Sequence, residues 1–249
     1  MTYPAAFRIA IVSLTFLLAG TVKGVTGMGL PTVAMGVLGA FMLPAEAAAL
    51  LILPSFITNA WQLLAGPRLL VLFRRFWPMM AGIACGTLLA ASLMTGSKTH
   101  WAVLGLGTVL TLYAASGLLA WRFTVPARHE RRLSPLIGVV TGLITGGTGV
   151  AVVPAAPYLQ SLDLKKEDLV QALGMSFTVS TIALATGLAH AGAFAIGDVR
   201  DSLLAVVPAL AGMWIGQRIR GRISPASFRR WFFLCLLALG LQLIVRQIV

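Results

Sequence analysis

The sequence predicts an all-α, polytopic integral membrane protein. It reads as two inverted repeats of about five segments each, with short broken-helix hairpins meeting near the midplane. Three observations predict this: scarce charge, long uncharged runs, and a chain that matches itself in two ordered halves. Of 249 residues, 58% are hydrophobic and 10% charged, against about 25% charged in a soluble domain. Mean hydropathy is +0.92. The runs 47–67, 76–97, 101–121 and 169–197 carry no acidic or basic residue apart from histidine. Each approaches or exceeds the roughly 20 residues a helix needs to cross a bilayer.

The halves are found by sliding the chain against itself. At a shift of about 118, Gly20, Gly24 and Gly29 fall on Gly138, Gly142 and Gly147. At 121, Ser55 and Phe56 meet Ser176 and Phe177, and Gly66 meets Gly187. At 130, "PMMAGIACG" (78–86) meets "PALAGMWIG" (208–216), and Trp101 meets Trp231. The repeats are then 1–121 and 134–249, joined by a basic linker, 122–133. The first half divides into segments 6–23, 28–43, 46–66, 77–96 and 100–121. The second divides into 134–145, 148–161, 167–190, 201–217 and 226–248. Residues 1–22 could pass for a signal peptide, but the repeat argues that they are kept as a helix.

In each half the first two segments are short and meet at a glycine break, 24–29 or 146–149. If each pair returns to its starting side, the basic residues divide unevenly. Arg68, Arg74, Arg75, Arg122, Arg128, Arg131, Arg132, Lys165, Lys166, Arg218, Arg220, Arg222, Arg229 and Arg230 share one side. Arg8, Lys98, Arg200 and Arg246 take the other. Positive charge gathers in cytoplasmic loops, so the linker is expected to be cytoplasmic. The net charge of +12 is explained by the same rule, and no nucleic-acid partner is expected. Loops that correspond between halves differ in charge, which is what opposite orientation would produce.

Bare backbone inside a bilayer is costly unless it lines a cavity or is buried in protein. Helices leaving the breaks near Gly29 and Gly149 would present free N–H groups, which attract anions. Glycine permits the positive φ of such a turn. The candidate substrate-binding residues of the breaks are Lys23, Gly24, Thr26, Gly27, Met28 and Gly29, with Thr145, Gly146, Gly147, Thr148 and Gly149. Helix packing is the alternative for these glycines. It is the reading given to the GxxxG pairs Gly82/Gly86 and Gly212/Gly216. In the third segments, Ser55, Asn59 and Gln62 share one helical face, and Ser176, Ser180 and Thr181 share another. The hydroxyls could instead bond their own backbone, while amides need outside partners. Lys23 could hold the substrate's charge or snorkel to an interface.

Cys85 and Cys235 lie in apolar runs and read as small buried residues without a disulfide or metal role. The tryptophans mark interfaces or helix contacts. Glu46 starts a helix, Asp198 and Asp201 fall in a loop, and His190 could titrate or simply cap the end of its helix. Paired carboxylates, His/Cys metal spacing and a nucleophile with a nearby base are all lacking in the pattern. No enzyme, cofactor or metal site is therefore expected.

The duplicated glycine-rich segment, the "P…SF…N" third helix, the basic linker and the length resemble the TauE/SafE family of bacterial sulfite and organosulfonate transporters. "GGTGVAVVP" (146–154) fits the family's break, with Pro154 in place. "GVTGMGLP" (24–31) departs from it: Met28 and Leu30 replace small residues and Pro31 comes early. The resemblance implies outward movement of sulfite, sulfoacetate or a related C2 sulfonate across the bacterial inner membrane. An anion channel and an ion-coupled importer of thiosulfate or another small anion are the alternatives. The expected partners are a small anionic solute and the lipid bilayer, with a homodimer through the GxxxG faces as a further option.

Overall fold

Helix α1, Ala5–Thr26, is long enough at 1.5 Å per residue to cross a bilayer by itself. The structure, a computed structural model, describes residues 5–119, 124–193 and 196–248. Trp121 and Arg122 lie outside them. The first half continues with α2 (Leu30–Leu38), α3 (Pro44–Leu64), α4 (Leu69–Ala90), two 3-10 turns, and α5 (Thr99–Leu118). The second half holds α6 (Ala127–Thr148), α7 (Ala155–Gln160), α8 (Lys166–His190), α9 (Ile196–Ile219) and α10 (Pro225–Ile248). Among the described residues there is no strand. Seven of these helices are long and apolar enough to span a membrane: α1, α3, α4, α5, α8, α9 and α10.

Several expected boundaries need correcting. The first segments are not short, since α1 and α6 each have 22 residues. Helix α6 begins inside the basic linker, where Arg128, Arg131 and Arg132 are exposed. A polar helical turn continues into the apolar one, and hydropathy sees only the second. Helix α4 likewise starts before Arg74 and Arg75. Asp198 and Asp201 belong to the first turns of α9 instead of a loop.

Glycine decides how the helices pair. A Cβ built on Gly20 or Gly24 of α1 would fall on the carbonyl oxygen of Ala209 or Met213 of α9. Gly212 and Gly216 of α9 stand in the same relation to Leu17 and Thr21 of α1. The second clasp joins α4 and α6: Gly82 and Gly86 meet Pro135 and Val139, while Gly138, Gly142 and Gly146 meet Met79, Ile83 and Thr87. Only a missing side chain lets two backbones approach so closely. In each clasp the residue numbers rise together, so the two helices run parallel. The GxxxG faces are thus consumed within one chain, which removes them as contacts for a second copy.

The other two pairs are antiparallel. Gly107 and Gly240 join α5 to α10, where Gly117 lies under Phe233, and His100 Nδ1 sits 2.7 Å from Gln247 Oε1. Helices α3 and α8 are joined by Gln62, whose Nε2 donates to the Val170 carbonyl at 3.1 Å. Gln171 answers from α8, donating to the carbonyls of Leu63 at 2.8 Å and Gly66 at 2.7 Å. It thereby caps the C-terminal end of α3, whose last carbonyls have no intrahelical donor. Near the same end Arg68 Nη1 meets Asp168 Oδ2 at 2.9 Å.

Pro54, inside α3, cannot supply an N–H to the carbonyl of Leu50. Ser202 of α9 repairs the gap: its hydroxyl donates to Leu50 O at 2.9 Å and accepts from the Leu53 N–H at 3.1 Å. The outer surface is apolar, with Trp61, Trp77, Trp101 and Trp231 exposed, as a lipid-facing belt requires. Cys85 and Cys235 are exposed too, so the expectation that they are buried fails. An apolar run does not say which of its faces meets lipid.

Candidate functional site

The first break is a glycine turn between α1 and α2. Gly27 and Gly29 take φ of 80° and 95°, left-handed values that L side chains resist. The Gly27 N–H reaches Lys23 O at 2.7 Å. Thr26 Oγ1 donates to Val22 O at 2.9 Å or Met28 O at 2.7 Å, and accepts from the Met28 N–H at 3.2 Å. Thr26 therefore holds the turn together. Gly29 is the N-cap of α2, with Pro31 in the first turn.

The second break differs from expectation. Helix α6 ends at Thr148 and Gly149 has φ 74°, but no helix begins there. Residues 149–154 form a non-helical return arm before the six-residue α7. Val150, Val152 and Val153 favour extended backbone, and Pro154 follows a cis peptide bond. Thr148 Oγ1 donates to Ile144 O at 2.6 Å and accepts from the Val150 N–H at 3.3 Å. Gly24 and Gly146 are also reassigned, since both lie in the helix clasps. Gly147 is not so confined; a Cβ there would lie 3.6 Å from the nearest outside atom, Leu93 Cδ1.

The polar residues of α3 and α8 converge at mid-depth. Ser55, Thr145, Gly149, Ser180 and Thr181 line a void of about 10 Å³ together with Pro31, Ala48 and Ala151. That is room for about one water molecule. The hydroxyls of Ser55, Ser176 and Ser180 are buried and have no hydrogen-bond partner. Thr145 and Thr181 instead donate to Thr141 O at 2.8 Å and Phe177 O at 2.7 Å. Ser176 does not line the void, and Gln62 is engaged in bracing α8.

Lys23 is 4% exposed. Its Nζ donates to Asn59 Oδ1, and Asn59 Nδ2 reaches Thr181 Oγ1 on the void wall at 3.5 Å. Among the described residues no carboxylate pairs with Lys23. Lys23 is thus a buried amine with a neutral acceptor, joined through Asn59 and Thr181 to the wall of a void that Ser55 and Ser180 also line. Snorkelling is excluded by the burial of the amine's own residue.

A second and larger cavity, about 800 Å³, lies on the side of the arginine-rich α9–α10 loop. Thr26 and Met28 line it, with Tyr113, Gln160, Arg220, Arg229 and Phe232. Met28 of the first break thus lines this vestibule, while Pro31, in the first turn of α2, lines the central void. The return arm contributes Val153 to the vestibule and Ala151 to the void. The two breaks form a partition between two compartments, and the candidate residues are divided across it.

The family model described as Sulfite exporter TauE/SafE matches residues 12–243, nearly the whole chain. The chain belongs to the TauE/SafE family. No curated protein and no solved structure matches it. As a TauE/SafE protein it is a multi-pass membrane transporter. Sequence reasoning about this transporter missed Tyr113, Gln160 and the arginines as cavity residues. Tyr113 offered a signal, being a phenol inside the uncharged run 101–121; the arginines did not stand out from other loop charge.

Replacing Ser55 and Ser180 together with Ala tests the void. Each loss removes an unsatisfied buried group, so the double variant is expected to be stabilised by about 1–3 kcal/mol per site. Anion binding should weaken about tenfold. Thermal melts with and without sulfite read both effects, and a destabilised variant would show that the hydroxyls have packing roles instead.

Proposed function

We propose that this TauE/SafE protein exports a small organosulfur anion, sulfite or a C2 sulfonate such as sulfoacetate, across the bacterial inner membrane. The observation that carries the reading is the buried Lys23 amine, which becomes the cation when an anion is bound beside it. Among the described residues its partner is Asn59, which links it through Thr181 to a void with orphan hydroxyls. A sulfonate or sulfite oxygen supplies the missing acceptor and the missing negative charge together. Gly27, Gly29 and Gly149 shape the partition through which the anion moves, and Gly147 lies beside it. In this reading the occupied void expands from its closed state as the breaks shift apart.

Two inverted repeats account for the helix pairing. Equivalent helices α3 and α8 are antiparallel, as are α5 and α10, while the first helix of each half lies parallel to the fourth of the other. A two-fold axis in the membrane plane gives these directions. The same arrangement sets Arg68, Arg128, Lys166 and Arg220 on one side, which the positive-inside rule makes cytoplasmic. The vestibule is then reached from the cytoplasm, where an exported anion originates.

Export needs no coupling ion. Moving one charge through 100 mV is worth about 2.3 kcal/mol, enough to hold about a 50-fold gradient of a monoanion. No Asp or Glu lines the void or the vestibule among the described residues. In proteoliposomes, efflux of sulfite or sulfoacetate is expected to rise with an imposed inside-negative potential. Flux that follows a proton gradient and ignores the potential would overturn the export mechanism. Efflux unaffected by substrate on the far side would favour a channel.

A further inference from the structure

The vestibule holds an arrangement that the Lys23 site does not explain. Tyr113, on α5, is only 8% exposed, yet among the described residues its hydroxyl has a single partner, Met28 Sδ, at 3.9 Å. Gln160, on α7, sends its Nε2 to the same sulfur, also at 3.9 Å. A thioether is a weak acceptor, and a buried phenol ordinarily finds a strong one. Two donors from different helices thus converge on one poor acceptor inside a cavity of about 800 Å³.

The surrounding charge has one sign. Arg220 and Arg229 line the same cavity, and among the described residues neither is paired with a carboxylate. The other hydroxyls nearby are already satisfied: Ser116 donates to Tyr113 O at 2.8 Å and Ser161 to Tyr158 O at 2.6 Å. The Tyr113 ring is fixed edge-on against Phe233, with centroids 5.2 Å apart. Its hydroxyl is therefore held in position instead of swinging freely.

We propose that Tyr113 and Gln160, with Arg220 and Arg229 at the rim, form a second anion site, and that Met28 Sδ occupies the place of an anion oxygen. The ligand class is a small oxoanion carrying at least two oxygens, one for each donor. Met28 is on the turn that separates the vestibule from the central void, so the arriving anion displaces the residue that closes the way inward. Methionine suits this, because its unbranched side chain is easily moved. The site shares with the proposed function only the sign of the cargo's charge.

Equilibrium dialysis of radiolabelled sulfoacetate, and separately sulfite, against full-length protein in nanodiscs tests it. Wild type is expected to show two classes of site. K23M keeps one, and Y113F/Q160L loses that one, with the single changes weakening it about tenfold each. M28L removes the competing acceptor and binds at least about threefold tighter at this site. Y113F/Q160L that binds as wild type does, with folding checked by gel filtration and circular dichroism, overturns the vestibule site alone. A single class abolished by K23M also overturns it and leaves the Lys23 reading standing. A K23M variant that binds like wild type, with loss in Y113F/Q160L, supports the vestibule and removes the Lys23 reading. No binding of either anion to wild type overturns both.

Discussion

Lys23→Met is expected to lose about 100- to 1000-fold in sulfite or sulfoacetate binding at the central site, while the protein itself melts at a higher temperature. Opposite signs make this informative. An ammonium about 4 Å from an anion at an effective dielectric of 20 is worth about 4 kcal/mol, and methionine removes that without much change in volume. The empty protein meanwhile buries a lysine amine whose partner among the described residues is the Asn59 amide. Lys23 lies in the last turn of α1, and taking its amine out of water costs free energy, part of which K23M recovers. Thermal melts and proteoliposome flux read the two effects. A variant that transports normally, or one that melts lower, would make Lys23 a structural tie to Asn59.

Gly142→Leu and Gly147→Leu, five residues apart on α6, are expected to fail in different ways. At Gly142 a Cβ collides with the Ile83 carbonyl and comes within 2.8 Å of the Thr87 nitrogen and 2.9 Å of the Gly86 Cα. Backbone cannot rotate aside as a side chain can. The clasp must separate, at a cost of about 3 kcal/mol or more, and the variant should aggregate or resist extraction. At Gly147 the nearest outside atom is 3.6 Å away. That variant should fold, run as wild type on gel filtration, and transport poorly because bulk has been added beside the partition. If Gly147→Leu also unfolds, Gly147 serves packing; if it transports normally, the partition lies elsewhere.

The contrast between those glycines bounds what could be read beforehand. "PMMAGIACG" and "PALAGMWIG" displayed their GxxxG spacing, and each proved to be half of a clasp. Gly24 and Gly146 looked like members of the breaks because they adjoin Gly27 and Gly147 in sequence. A helix turns about 100° per residue, so neighbours in sequence face different partners, and these two face α9 and α4. The apparent helix start at Gly149 failed for a local reason: three valines and Pro154 hold the arm out of helix. Asn59 was legible as an amide needing a partner, but nothing in the sequence said that the partner would be Lys23, 36 residues away.

Composition and periodicity by themselves determined the membrane class and the presence of breaks. Those properties are sums over local residues, and solvation free energy in lipid acts on each segment separately. Tertiary structure alone decided that α1 packs on α9 and α4 on α6, that candidate residues fall on two sides of a partition, and that Tyr113 and Gln160 meet at Met28. Such meetings join residues about 50 to 190 positions apart, and their geometry comes from how closely glycine faces let helices approach. A one-dimensional pattern carries no record of that distance.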